Sequence, residues 1–143
     1  MHLNLQDVQR CRVCDNGKGL CAKGKCVIED DFTQLYEQVV AAEAVVWITP
    51  VYWHDMAEPL KAFFDRLRRC ETSHNHFLQN KKCILVAAAG GSGNGAIRCL
   101  HLMEDTLGHM KMEIRDRLPV TKFSRDYMLQ ALKASANSLC KEI

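Results

Sequence analysis

With 143 residues, 48% of them hydrophobic and 25% charged, the chain suits one globular domain that can bury a core without disulfide staples. A net charge of +2, with Lys and Arg scattered among Asp and Glu and no basic stripe, argues against nucleic acid as a partner. The longest apolar stretches, Ala44 to Ile48 and Ile84 to Ala89, fall short of the roughly 18 residues a membrane helix needs, which argues against a membrane partner.

In chain order, Met1 to Leu5 lacks the basic start and long apolar segment of a signal peptide. Leu3 to Leu5 is expected to begin a short strand. Cys11 to Cys26 is a loop rich in Gly, Lys and Cys. Phe32, Leu35, Tyr36, Val39 and Val40 recur at helical spacing, behind Asp30 and Asp31, which suit a helix N-terminus. Ala44 to Thr49 is a continuous apolar run, as expected for a strand covered on both faces, and Pro50 is expected to end it. Met56, Leu60, Phe63, Phe64 and Leu67 form a second helical stripe. Lys82 to Ala89 reads as another buried strand, and Ala96, Leu100, Met103, Leu107 and Met110 as a third stripe. Glu113 to Val120 is a last strand, and Met128, Leu132, Ala136 and Leu139 mark a closing helix. Strands alternating with helices predict a single α/β domain, a doubly wound three-layer sandwich with a parallel sheet.

Ligands of such sheets bind beyond the carboxyl ends of the strands. Two loops lie there. Thr49, Pro50, Val51, Tyr52 and Trp53 follow one strand, and His54 adjoins them. The flat faces of Tyr52 and Trp53, beside backbone amides, suit a tricyclic aromatic ring. On their own they would equally serve to cover the core or an oligomer interface. Ala89, Gly90, Gly91, Ser92 and Gly93 follow the next strand and lead through Asn94 and Gly95 into a helix. Four glycines in six residues expose amides that favour anions or carbonyl oxygens. A flexible turn is the plainer alternative. Gly91, Gly93 and Ala96 fit a dinucleotide pattern, but the acid that should end the following strand is missing; Glu113 stands at that strand's beginning. Lys122 and Arg125 follow the last strand and are within reach of a phosphate at this edge, although a solvated surface is the plainer reading.

Four stretches carry a resemblance to a known family: Cys26-Val27-Ile28-Glu29-Asp30-Asp31-Phe32, Thr49-Pro50-Val51-Tyr52-Trp53, Leu60-Lys61-Ala62-Phe63-Phe64-Asp65-Arg66 and Ala88-Ala89-Gly90-Gly91. In this order they resemble the NADPH-dependent FMN reductases and iron-sulfur flavoproteins, which are flavodoxin-like. The resemblance implies that Thr49 to Trp53 lies along the isoalloxazine ring of FMN and that Gly90 to Gly93 meets its other edge. It implies an oxidoreductase in which hydride passes from NAD(P)H to FMN and electrons move on to an acceptor. It also implies that Asp65 and Arg66 form a helix-surface or interface ion pair. The family's first strand and Gly-Ser-Pro-Arg-like phosphate loop have no counterpart in this chain. That leaves three expectations: a start codon placed too late, a truncated paralogue that binds flavin weakly or not at all and acts as a non-enzymatic assembly module, or a partner chain covering the gap. A homo-oligomer is expected on the last ground.

Cys11-x2-Cys14-x6-Cys21-x4-Cys26 places four thiols in sixteen residues. With no secretory signal, all eight cysteines are expected in a reducing, cytoplasmic setting. There Cys11, Cys14, Cys21 and Cys26 suit Zn or an iron-sulfur cluster, or else stay free thiols with a local structural role. The resemblance favours a 4Fe-4S cluster, although the family's spacing between the second and third cysteines is tighter. Cys83 and Cys99 read as core residues, and Cys70 and Cys140 as packed or half exposed. His74-x-His76 is a weaker metal candidate. No Ser-His-Asp or Cys-His pattern for hydrolysis stands out.

Overall fold

The computed structural model describes residues 1–14, 18–71 and 75–143. Helix α1 (Phe32–Ala41) leads to strand β1 (Ala44–Tyr52), the two-residue strand β2 (Asp55–Met56) and helix α2 (Glu58–Cys70). Strand β3 (Lys82–Ala89), helix α3 (Ala96–Gly108), strand β4 (Glu113–Thr121) and helix α4 (Arg125–Cys140) follow. The sheet order is β2-β1-β3-β4. β1, β3 and β4 are parallel, and β2 turns back antiparallel on the end of β1. Thr49 pairs with Ala87 and Ala89 with Thr121, so the three long strands finish at one edge.

The helical stripes dictate the layers. Phe32, Leu35 and Val39 of α1, Phe63, Phe64 and Leu67 of α2, and Leu100, Met103 and Leu107 of α3 enclose Trp47, Leu85 and Ala87 on one sheet face. Trp47 packs edge-on against Phe64 at 4.9 Å between ring centroids. On the other face α4 is the one helix among the described residues. Leu139, with half-buried Met128 and Leu132, covers Ile84, Val86 and Leu118. Over β1 that face is bare, and Val46 and Ile48 are 43% and 64% exposed. The expectation of a strand covered on both faces therefore holds for β3 and fails for β1. An apolar run reports a strand's chemistry but not whether a helix lies above it.

Two further expectations are corrected. Pro50 does not end β1, which continues to Tyr52. β1 is an edge strand before its last two residues, and Pro50 pairs with Ala88 of β3 while its missing N–H costs no ladder bond on the open side. Leu3–Leu5 is not a strand but a 3-10 turn, closed by the Leu5 N–H to the His2 carbonyl and the Gln6 N–H to the Leu3 carbonyl, both 3.1 Å. Three residues with no neighbouring strand cannot form a ladder. Leu3 instead packs against the main core, and Leu5 is left exposed.

Candidate functional site: a carboxyl-edge surface and a cysteine pocket

At the carboxyl edge, Tyr52 to Asp55 form a tight hairpin between β1 and β2. Trp53 and His54 both have left-handed backbone, at φ 51° and 70°. Trp53 is 97% exposed and Tyr52 60%. A hairpin that holds two such residues at positive φ and turns an indole outward presents a flat apolar face to a ligand. Its base is fixed by Thr49, which is fully buried. The Thr49 hydroxyl donates to the Pro50 carbonyl and accepts the Ala57 N–H, both at 2.9 Å. Thr49→Val keeps the shape and removes the acceptor. It is expected to cost about 1–3 kcal/mol, read from urea unfolding, and to speed amide exchange at Ala57.

The glycine loop meets this hairpin. Gly95, at φ 89°, abuts His54 so closely that a Cβ there would lie 2.8 Å from the His54 Cα. Gly93 is held similarly against Thr121, with a would-be Cβ 2.9 Å from its Cγ2. Gly90 and Gly91 differ: a Cβ on either would meet only open space. The Gly91 and Ser92 N–H groups donate to no acceptor among the described residues. Thr49 to Trp53 and Ala89 to Gly93 are thus brought to one edge, as the sequence implies. A third element joins them; the sequence placed Lys122 at this edge but not the turn that carries it. The turn from Thr121 to Ser124 is locked by the Ser124 hydroxyl accepting the Thr121 N–H at 3.0 Å, and it carries Phe123, 74% exposed, beside Lys122.

Cys11, Cys14, Cys21 and Cys26 line one pocket with Arg12, Arg66 and Arg69. All four thiols are free and half-buried. Among the described residues, no three His, Cys, Asp or Glu side chains are gathered at ligand distance, so the loop would have to close on an ion to bind it. Residues 15–17, within the long cysteine spacing, lie outside the described residues, as does His74; His76 is an exposed residue at φ 55°.

The segment carrying the cysteines is pinned at two points. At the first, Arg66 is 1% exposed and forks onto Asp30, with Nη1 2.6 Å from Oδ2 and Nη2 2.8 Å from Oδ1. It also donates to the Gln9 carbonyl at 3.1 Å and lies 4.2 Å over the Phe32 ring. Burial pushes the Asp30 carboxyl up, but Arg66 and the Gln9 and Phe32 N–H groups outweigh it and hold the carboxyl below its ordinary range. The resemblance implied a surface pair of Asp65 with Arg66. In the structure Asp65 pairs with Lys61, and Arg66 turns inward. Adjacent residues on a helix point about 100° apart, so they cannot both face the surface stripe and the core.

The second pin is Asn75. Its Nδ2 donates to the Gly24 carbonyl at 3.0 Å and to the Tyr36 hydroxyl at 2.8 Å. The Tyr36 hydroxyl donates in turn to the fully buried Glu71 carboxylate, whose other oxygen accepts the Leu78 N–H at 2.8 Å. Burial, followed by Glu71, pushes the Tyr36 phenol well above its ordinary value. Cys70, beneath the pocket, is raised to about 12 by burial first and then by Cys26 and Cys21. Burial takes Cys83 to about 12 and Cys99 to about 11. These three are unreactive packing thiols; Cys140 is exposed.

A parallel sheet with helices on both faces and its loops converging at the carboxyl edge defines the flavodoxin-like class. The chain belongs to the NADPH-dependent FMN reductase family, which matches residues 3–121. It is 35% identical over 94 residues to an iron-sulfur flavoprotein of Methanosarcina thermophila, covering 63% of this chain and 44% of that protein. It is 30% identical over 96 residues to an iron-sulfur flavoprotein of Archaeoglobus fulgidus, covering 67% and 45%. The chain therefore spans about half the length of the curated relatives it matches. Among solved structures, an azoreductase from Bacillus anthracis superposes with a TM-score of 0.59 over 99% of this chain and 78% of its own, at 17% identity. General stress protein 14 from Treponema denticola, solved in complex with FMN, gives 0.56 over 83% and 75%, at 19% identity. At these identities the superpositions establish the fold. Among the described residues no helix is long and apolar enough to cross a membrane.

Proposed function

We propose that the chain is the flavin-holding portion of an NAD(P)H-dependent oxidoreductase, with FMN at the carboxyl edge and electrons passed to a separate small-molecule acceptor. The observation that carries this reading is the open, exposed backbone at Gly90 and Gly91, with the unspent Gly91 and Ser92 amides, at the same sheet edge as the outward hairpin of Tyr52 and Trp53. FMN, when bound, supplies acceptance of hydride and its onward release as electrons. The protein's part is placement. Thr49, Pro50 and Val51 would run along one side of the ring, and Tyr52 and Trp53 would shield it from water. The Gly91 and Ser92 N–H groups would donate to its polar edge, with Ala89 and Gly93 holding the loop open. Lys122 and Arg125 are the cations nearest in sequence to this edge.

The cysteine pocket supports an iron-sulfur cluster better than Zn. The four thiols share their pocket with Arg12, Arg66 and Arg69, and this cationic lining suits an anionic thiolate-bound group. Eight free thiols agree with a reducing cytoplasm. The bare face of Val46 and Ile48, beside the open edge of β1, supports a homo-oligomer. A monomer by light scattering at micromolar concentration would contradict that assembly.

The enzymatic reading is tested by following NADPH and NADH oxidation with and without added FMN. The expected result is saturable, FMN-dependent oxidation that falls at least about tenfold in Trp53→Ala, the loss of a stacking face worth about 1–3 kcal/mol. A rate no greater than that of free FMN would overturn it.

A further inference from the structure

The turn that follows β4 holds an aromatic ring out to solvent on a fixed base. Phe123 is 74% exposed. The Thr121 hydroxyl oxygen accepts the Phe123 N–H at 3.3 Å and the Ser124 N–H at 3.2 Å, and the hydroxyl of buried Ser124 lies 3.1 Å from it. Thr121 also fills the space that a side chain at Gly93 would need, and the Gly93 N–H donates to the Gly90 carbonyl at 2.9 Å. A continuous line of contacts therefore joins the Phe123 turn to the open backbone at Gly90 and Gly91. On its other side the same loop meets the Tyr52–Asp55 hairpin through Gly95 and His54. Hairpin and turn end strands two spacings apart, about 10 Å, with the glycine loop between them.

A lone exposed aromatic side chain is ordinary. Phe123 differs in its company. Lys122 places its ammonium 4.8 Å from the ring centroid. Arg125 opens α4, and Tyr127, two residues on, is 64% exposed. Among the described residues neither Lys122 nor Arg125 has a carboxylate partner, and within residues 122–127 these two cations outnumber the single acid, Asp126. Flat rings beside such cations suit a ligand that carries both aromatic rings and phosphates. The flavin ring takes the Tyr52 and Trp53 side in the reading above, which leaves this patch for a second ligand of that kind. A nicotinamide dinucleotide has that chemistry: two flat bases joined through a pyrophosphate.

We infer that the Thr121–Ser124 turn and the first turn of α4 form the docking site of the nicotinamide dinucleotide, with Phe123 receiving one of its bases and Lys122 and Arg125 its phosphates. The hydrogen-bonded base of the turn keeps that site in fixed register with the glycine loop. The inference rests on the flavin oxidoreductase reading and adds to it which residues take the second reactant.

The test is calorimetric titration of the whole chain with NADP+, the oxidised form that has no hydride to pass, with and without FMN. FMN affinity is measured in parallel by flavin fluorescence. Phe123→Ala should bind NADP+ about tenfold more weakly, as the loss of one stacking face implies, while FMN affinity stays within about twofold. Lys122→Gln combined with Arg125→Gln should also weaken NADP+ binding and flatten its dependence on salt. The KM for NADPH should rise in both variants. Lys133→Gln, an exposed cation further along α4, is the control and should change neither affinity. All three substituted side chains of the patch are exposed, so the variants should keep the wild-type urea midpoint. Equal NADP+ affinity in wild type and Phe123→Ala overturns the inference and spares the flavin reading, as does a wild type that binds no NADP+ in either form. A loss confined to FMN assigns the patch to the flavin and overturns the inference too. If the wild type takes up no FMN, the flavin reading falls, and titration of the FMN-free chain still decides the inference.

Discussion

Phe63→Ala is expected to lower stability by about 3–5 kcal/mol. Phe63 is fully buried on α2 and lies at the meeting point of three elements. Its ring is 5.3 Å from that of Phe32 on α1 and 6.1 Å from that of Trp47 on β1, both tilted. Truncation removes the apolar transfer energy of a whole ring and leaves a cavity among groups already anchored by other contacts, so little collapse can offset it. A domain of this size has roughly 5–15 kcal/mol in total, so the loss is a large share and should lower Tm by roughly 10–20 °C. Urea unfolding should show an earlier midpoint with an unchanged slope. Phe77→Ala is the control. Phe77 is 58% exposed, and its removal should cost less than about 0.5 kcal/mol. Equal effects at both positions would mean that the aromatic cluster is not the core.

Arg66→Met is expected to cost a similar amount, about 3–5 kcal/mol at pH 7, by a different route. Methionine fills much of the volume, but the Asp30 side chain, wholly shielded from solvent, then keeps its charge with no cation beside it and only the Gln9 and Phe32 N–H groups to offset its burial. The pH dependence separates the two causes. In the wild type the Asp30 carboxyl is held below its ordinary value, so its contribution is present above the unfolded value of about 3.9 and is lost as pH falls through the native one. In Arg66→Met burial acts unopposed by the arginine, and protonation relieves the stranded charge. The difference between the two proteins should therefore shrink below about pH 4. Urea unfolding at pH 7 and pH 3.5 measures it. A difference that stays constant would assign the loss to packing instead.

The alternation of strands and helices was legible because hydrophobic period survives in any single sequence. The stripe Leu60, Phe63, Phe64 and Leu67 is buried as its spacing requires. The two carboxyl-edge loops were legible for a related reason: each follows an apolar strand directly, and a parallel sheet places such loops side by side. What failed depended on neighbours. Pro50 ends an interior strand but not an open edge, and nothing local in the sequence tells which edge is open. Leu3 to Leu5 has strand composition but no partner strand. Val46 and Ile48 are apolar yet exposed, because the helix that would cover them is not among the described elements.

The site's second half was legible only as a list of parts. Cysteine spacing announced the pocket. The clamp beneath it joins Asp30 to Arg66 across 36 positions of sequence, and no periodicity carries such a pairing. The signal available was indirect: Arg66 adjoins the apolar stripe of α2, and an arginine buried there requires a carboxylate near it. The Thr121–Ser124 turn had even less to announce it, since its place beside Gly93 follows from the register of β3 with β4.

The central claim is that a flavin lies in the cradle at Gly90 and Gly91. FMN titration of wild type and Gly90→Val, followed by flavin fluorescence, tests it most directly. A side chain at Gly90 meets no protein atom within 4 Å, and Gly90 is not among the glycines at positive φ, so stability should change by less than about 0.5 kcal/mol. The account predicts that the wild type quenches FMN fluorescence saturably and that Gly90→Val, its cradle filled, binds at least about tenfold more weakly, a loss of about 1.4 kcal/mol or more. Equal FMN affinity in the two proteins would contradict it.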